Sequence, residues 1–532
     1  MTIARALVSV HDKTGVVDLC RLLVEHGAEI LSTGGTARLL RESGLTVRDV
    51  SDVTGFPEMM DGRVKTLHPK IHGGILARRD SPEHRAALER HGIPPIDLVV
   101  VALYPFAQTV ATPGVTRADA IEQIDVGGPA MIRAAAKNHA AVAVVTHPSQ
   151  YADVMRELRD TGGLGEATRA RLAHEAFART AAYDAAIAEY LGGSRRTAPH
   201  TGSGGDVAVR AAAFPERLTL DLERAVDLRY GENPHQHAAF YRPAGRHAVG
   251  IAAMEQLHGP ALGYNNLLDF SAALGLLLEF AEPAAVVIKH TNPCGAAVGA
   301  SVGDAMARAK AADPVSIYGG IIGVNRTLDM DVVKALAGIF VEILFAPSFA
   351  PDALEELART KKRCRVIRVP CDRDVVAGAV EHRSVLGGLL AQSTDAVDLD
   401  EAALTVVSRR APTAAEVEAL RFAWRVAKHT KSNAIVLTTR TDVVGVGAGQ
   451  MNRVDAARLA VMRAREAGRE TAGSVCASDA FFPFRDGLDV VAEAGATAVI
   501  QPGGSLRDDE VVAAADAHGL AMVTTGVRHF RH

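Results

Sequence analysis

A repeated grammar of strand, polar turn and helix constrains this chain more than any other feature. An apolar run from Ala4 to Val10 passes into His11-Asp12-Lys13-Thr14-Gly15, and Val16, Leu19, Leu22 and Leu23 follow at helical spacing. Ala28 to Leu31 repeats the pattern, with Ser32-Thr33-Gly34-Gly35-Thr36 as the turn before a helix carrying Leu39 and Leu40. Such alternation argues for a parallel sheet, whose ligands gather at the carboxyl ends of its strands. Neither turn reads as G-x-G-x-x-G or as a Walker sequence, so a dinucleotide or a triphosphate is not indicated. A single phosphate fits: glycines let the backbone close in, and a helix N-terminus offers free N–H donors. A Gly-Gly pair is equally at home in an ordinary turn.

Further along, Arg63-Val64-Lys65-Thr66-Leu67-His68-Pro69-Lys70-Ile71-His72-Gly73-Gly74 puts cations, histidines and helix breakers into one short stretch. A strand from Asp97 to Ala102 leads into Leu103-Tyr104-Pro105-Phe106. Ile124-Asp125-Val126-Gly127-Gly128 then opens a helix for which Pro129 suits the first position. Arg133 and Lys137 stand one turn apart on it and share a face. As a last-turn lysine, Lys137 would also complement the helix dipole.

At 532 residues the chain is too long for one core. A net charge of -4 gives no support for a nucleic-acid partner. Five cysteines, Cys20, Cys294, Cys364, Cys371 and Cys476, lack any C-x-x-C spacing, which fits a reducing cytoplasmic setting better than a disulfide framework. No apolar stretch approaches the length of a membrane span. Between Leu191 and Ala213 the composition shifts to Gly, Ser and Pro. This places a first domain at 1–191, a linker at 192–213 and a larger domain at 214–532.

Within the larger domain, the β-branched run Ala285-Val286-Val287-Ile288 ends in Lys289-His290-Thr291-Asn292-Pro293-Cys294-Gly295. Neighbouring strand residues point to opposite faces, so Lys289 and His290 can address one reactant only where the pleat breaks. A cation beside an imidazole disfavours the imidazolium, leaving a neutral base next to an ammonium that can face an oxyanion. That pairing suits acyl or formyl transfer to a weak amine, although a Lys-His pair at a sheet edge is commonly just a surface pair. Lys-His-Thr recurs at Lys428-His429-Thr430, a hint that the larger domain is an internal duplication. A zinc deaminase is disfavoured, because Pro293-Cys294 has no second cysteine three residues on and no H-x-E partner.

Taken together, the ordered segments Arg63 to Pro69, Arg133 to His139, Lys289-His290 with Asn292-Pro293, and Asp479-Ala480-Phe481-Phe482-Pro483-Phe484-Arg485-Asp486 resemble one family. It is the bifunctional purine-biosynthesis family that joins AICAR formyltransferase to IMP cyclohydrolase, and the resemblance covers essentially the whole chain. It implies an α/β chain: a methylglyoxal-synthase-like parallel-sheet domain, followed by two duplicated, zinc-free cytidine-deaminase-like units. For ring closure of formyl-AICAR to IMP it implies Lys137 as proton carrier, with Lys65, Tyr104 and Asp125 around the reacting atoms. It implies nucleotide contacts at His11, Asp12, Lys13, Thr33, Gly34, Gly35, Thr36, Arg63, Val64, Thr66 and Val126.

For formyl transfer the resemblance implies His290 as base and Lys289 as stabiliser of the tetrahedral intermediate, with 10-formyltetrahydrofolate as co-substrate and no catalytic metal. It implies AICAR contacts at Arg229, Tyr230, Gly319, Glu342, Asn433, Arg453, Phe481 and Arg528. Folate contacts are implied at Val454, Asp486, Ser505 and Leu506, in a homodimer that shares the transfer site. One position departs from the family pattern: Ala102 stands where Asn is usual, which predicts weakened ring closure or nucleotide binding and leaves a transferase-dominant enzyme as the alternative. A non-catalytic nucleotide-binding module would account for the turns but not for Lys137, Tyr104 and Asp125 beside them.

Overall fold

The computed structural model describes residues 1–57, 59–60, 63–112, 114–192, 214–215, 218–244, 248–376 and 378–532. Apart from Gly192, the linker expected at 192–213 lies outside these residues. Two compact units emerge, the first including Phe214–Thr219 and the second including Leu220–His532.

The first unit is built on strands β1 (Arg5–Val10), β2 (Glu29–Ser32), β3 (Val47–Asp49), β4 (Leu98–Ala102) and β5 (Ala143–Val145). They form a sheet in the order β3-β2-β1-β4-β5, and each neighbouring pair is parallel. Alternate residues of β1 serve different cores. Ala6, Val8 and Val10 pack with Val16, Leu19 and Leu23, whereas Leu7 packs with Ile71, Ile75, Met131 and Ile132 on the other side. A strand covered on both faces reads as a continuous apolar run, which is why Ala4 to Val10 shows no polar alternation. The strand order reverses between β1 and β4, and in open parallel sheets the crevice at such a reversal holds the ligand.

Strands of the second unit begin with a hairpin of β6 (Leu222–Leu228) and β7 (Ala238–Pro243). Next come β8 (Glu255–His258), β9 (Ala284–Lys289), β10 (Asn292–Val298), β11 (Gly320–Val324), β12 (Val341–Ala346) and β13 (Arg365–Arg368). After a second hairpin of β14 (Val380–Val385) and β15 (Gly388–Ser393) follow β16 (Thr405–Val406), β17 (Ile435–Thr438), β18 (Val443–Gly447), β19 (Val475–Ser478), β20 (Ala498–Gln501) and β21 (Ala521–Thr524).

Two mixed six-stranded sheets result, β10-β9-β11-β12-β13-β8 and β18-β17-β19-β20-β21-β16. Their pairings match strand for strand: antiparallel, antiparallel, parallel, parallel, antiparallel. The second unit is therefore duplicated, but not for the reason the letters suggested. Lys289-His290-Thr291 occupies the β9–β10 turn, while Lys428 closes the helix Ala414–Lys428 that precedes β17. The two triplets are not equivalent positions. A better signature is a glycine pressed against the helix that follows the hairpin. A Cβ on Gly295 would lie 2.2 Å from the Ala309 carbonyl oxygen, and one on Gly445 2.2 Å from that of Ala460.

The repeats meet along β10 and β18, where Ala297 bridges Asp442 and the Val298 amide donates to the Thr441 carbonyl at 2.8 Å. One apolar cluster draws on both, joining Phe270, Leu274 and Phe345 of the first to Phe422, Trp424 and Val436 of the second.

Candidate active sites

The first candidate site lies at the carboxyl ends of β1, β2 and β4. The turn after β1 sends Lys13 inward, where its Nζ donates to Thr36 Oγ1 at 2.7 Å and to the Val10 carbonyl, and burial pushes its ammonium down. Thr36 also accepts from the Val10 amide at 3.2 Å, tying the two turns together. Gly34 opens the helix Gly34–Glu42 at φ 56, and a Cβ there would meet Lys65 Nζ at 3.3 Å. Lys65 thus reaches the Gly-Gly turn, as a phosphate cradle requires. The His11 ring lies 5.3 Å from that of Tyr104, and the Arg63 guanidinium pairs with Glu122. Asp12 is turned toward Thr14, whose side chain and amide hold its carboxyl below the usual range.

Asp125 closes this site. Its Oδ1 accepts the Gly128 amide at 2.8 Å, while its own amide donates to the Tyr183 hydroxyl at 2.8 Å. Burial pushes its carboxyl up, against the opposing hydrogen bonds from Gly128 and Tyr104. A Cβ on Gly128 would strike Asp125 Oδ2 at 2.4 Å, so glycine is required. For this reason the helix Gly127–Lys137 begins with two glycines and Pro129 is third, not first as expected from sequence. Val126 is exposed at its N-cap, and Val64 is exposed in the loop before Thr66.

The structure does not bring Lys137 to this group within one chain. It sits in the last turn of that helix, about 15 Å along the axis from Gly127 by helix rise. There it lines a groove of about 850 Å³ with His72, Arg133, His139, His174 and Phe177. Ala102 pairs with Val10, and its carbonyl accepts the His11 amide at 3.1 Å, so this position adjoins the first turn.

The second candidate site is organised by the β9–β10 turn. Asn292 pairs with Lys289, so His290 and Thr291 form a two-residue hairpin loop, with φ of 49° and 62°. Positive φ at both loop residues is the geometry that Asn-Gly normally supplies. A β-branched threonine there costs about 1–2 kcal/mol relative to glycine, and such strain is characteristic of functional sites. Lys289 Nζ donates to the Tyr318 carbonyl at 2.7 Å and would meet a Cβ on Gly319 at 3.2 Å. Because β9 runs antiparallel to β11 and parallel-paired β12, its end lies beside Gly319 and Glu342 at their starts. Glu342 accepts from Arg365 at 2.6 Å and from Asn266 at 3.2 Å. Arg229 lies 5.9 Å over the Tyr230 ring.

In the second repeat, Arg453 is buried against Asp479 at 2.5 Å and donates to Asn433 Oδ1 at 2.8 Å. Phe481 follows this aspartate, and Arg528 lies 4.5 Å over Phe530. Val454, Asp486, Ser505 and Leu506 follow β18, β19 and β20, with Leu506 fully exposed. The two groups touch where the Lys431 amide donates to Asn292 Oδ1 at 3.0 Å. Sequence reasoning gave no role to Asp269, Arg365 or Asp479. Asp479 opens the segment Asp479 to Asp486, and a short carboxylate among apolar neighbours is the signal that marks it.

A model of the AICARFT/IMPCHase bienzyme family matches residues 135–463, well over half of the chain, and a model of the MGS-like domain matches residues 15–130. The chain belongs to the AICARFT/IMPCHase bienzyme family. It is accordingly a bifunctional enzyme of purine biosynthesis, with formyltransferase and IMP cyclohydrolase activities, and the family uses formyltetrahydrofolate as co-substrate. The five-stranded parallel sheet of the first unit is the MGS-like domain. A solved structure titled "Crystal structure of ForH" is similar at 39% identity, covering 36% of this chain and 98% of that one with a TM-score of 0.34. Among the described residues no helix is long and apolar enough to cross a membrane.

Proposed function

We propose that the second unit moves the formyl group of 10-formyltetrahydrofolate onto the 5-amine of AICAR, and that the first unit closes the product to IMP with loss of water. The observation that carries this reading is the strained strand end presenting Lys289 and His290 together. The amine is a poor nucleophile because its lone pair is delocalised into the ring. As its nitrogen attacks the formyl carbon, His290 takes the proton and Lys289 faces the oxyanion. The bond from the formyl carbon to N10 then breaks, N10 gains a proton, and tetrahydrofolate leaves.

AICAR is assigned to Arg229, Tyr230, Gly319, Glu342, Asn433, Arg453, Phe481 and Arg528, and the folate to Val454, Asp486, Ser505 and Leu506, in a site shared between two copies of the chain. In the first unit the phosphate takes the cradle of residues 11 to 13, 33 to 36 and 63 to 66. Lys65, Tyr104 and Asp125 surround the reacting atoms, and the raised Asp125 carboxyl supports a group able to exchange a proton there. Lys137 is assigned the proton carrier, an assignment that its place at the far helix end makes separable from that of Asp125.

Mixing protein, AICAR and 10-formyltetrahydrofolate should yield IMP. Formyl-AICAR accumulating without IMP would restrict the chain to transfer, the outcome the Ala102 departure predicts in its extreme form. Unchanged AICAR would overturn the reading.

A further inference from the structure

We infer that Asp269 is a positioning residue for formyl transfer, holding the strained His290-Thr291 turn in its reactive shape from the neighbouring helix. This rests on the reading of His290 as the base. Asp269 lies in the second turn of the helix Tyr264–Leu277, which packs beneath β9. Its Oδ1 accepts the Thr291 amide at 2.7 Å, and the His290 amide also bears on the carboxylate.

The turn is gripped on its carbonyl side as well. Asn292 Nδ2 donates to the His290 carbonyl at 3.1 Å, and its Oδ1 takes the Lys431 amide from the second repeat at 3.0 Å. Yet only the amide grip is ionic, and charge-assisted bonds are the stronger kind. Among the described residues only Met60, His290 and Thr291 are non-glycine residues at positive φ. A turn this unfavourable for threonine persists only when its surroundings over-determine it. Burial pushes the Asp269 carboxyl up, so its retention next to two strained amides is a cost that the turn's geometry explains.

The test is a double-mutant cycle with Thr291→Gly, because glycine adopts φ 62° without strain and makes the grip less necessary. In the full chain, Asp269→Asn should lower kcat for formyl transfer about tenfold to a hundredfold, in line with loss of a charged hydrogen bond, while the AICAR KM moves less than about threefold. In the Thr291→Gly background the same substitution should cost less than about a third of that factor. Ring closure of supplied formyl-AICAR should be unchanged throughout. An unaltered kcat in Asp269→Asn, or an equal loss in both backgrounds, including loss by misfolding, overturns the inference while leaving wild-type transfer intact. If the wild-type chain transfers no formyl group, the proposed function falls and this inference with it.

Discussion

The two repeats of the second unit share one topology and differ in how they turn the corner of the hairpin at the sheet edge, β9–β10 in one and β17–β18 in the other. In the first repeat two residues, His290 and Thr291, make the turn at positive φ. In the second, four residues from Thr439 to Asp442 do so without positive φ. There the turn satisfies itself: the Thr439 amide donates to the Asp442 carbonyl at 2.9 Å, Thr439 Oγ1 donates to the Asp442 carboxylate, and Arg469 pairs with that carboxylate. A duplicated scaffold thus stores strain at one corner and relaxes it at the other. The helix after each hairpin shows a complementary divergence. Ser301 and Asn452 cap equivalent helices, yet the next residue is buried Val302 in one and buried Arg453 in the other. The strained turn and the buried ion pair thus stand on different copies of one frame.

The sharpest way to break this comparison is to remove the proposed chemistry from each corner in turn. Lys289→Ala or His290→Ala should reduce formyl transfer about 10²- to 10⁴-fold while ring closure survives. Arg440→Ala at the relaxed corner should leave both rates near wild type, since its pairing with Glu418 is exposed. Steady-state assays of the separate half-reactions decide it, and equal losses at the two corners would end the distinction. In the first unit, Asp125→Asn should slow ring closure about 10²-fold or more with formyl transfer intact. Lys137→Gln measured beside it tests whether the far helix end matters at all.

Next in size is the buried pair. Arg453→Val imitates the first repeat but strands Asp479, and should destabilise the second unit by about 3–5 kcal/mol in chemical denaturation. Adding Asp479→Ala should recover much of that loss. Ala102→Asn should raise ring closure or nucleotide affinity by an amount corresponding to about 1–3 kcal/mol if the amide finds its partner. No gain would remove the Ala102 argument.

An effect of similar size concerns acid. Burial alone would raise the Glu279 carboxyl, but the hydrogen bond from His429 and the Lys428 ammonium at 2.9 Å hold it down to about 2, while burial keeps His429 itself from charging readily. A depressed carboxyl stabilises the fold above its unfolded value near 4.5, and that contribution is lost as pH falls toward 2. Glu279→Gln should therefore cost on the order of 2 kcal/mol near pH 7, the gap to wild type closing below pH 4 in thermal melts.

Much of the first unit was legible because strand–turn–helix alternation fixes both the sheet and the end at which ligands bind. The turns at Lys13, Gly34 and Thr36 converge as that rule requires. The duplication was legible only in outcome, since a repeated tripeptide suggested it and the tripeptides occupy different elements. What local pattern could not supply were residues acting across long separations, such as Asp269 on Thr291 or Arg365 on Glu342. Nor could it place Lys137, because sharing a helix with Asp125's neighbours says nothing of which end is meant.

The apolar cluster common to both repeats has a consequence for how such a chain could diverge. Since Phe345 and Trp424 belong to a single interior, the two copies are expected to unfold together. A calorimeter should record one cooperative event for the second unit. The relaxed corner is thereby tied to its strained twin through one shared foundation.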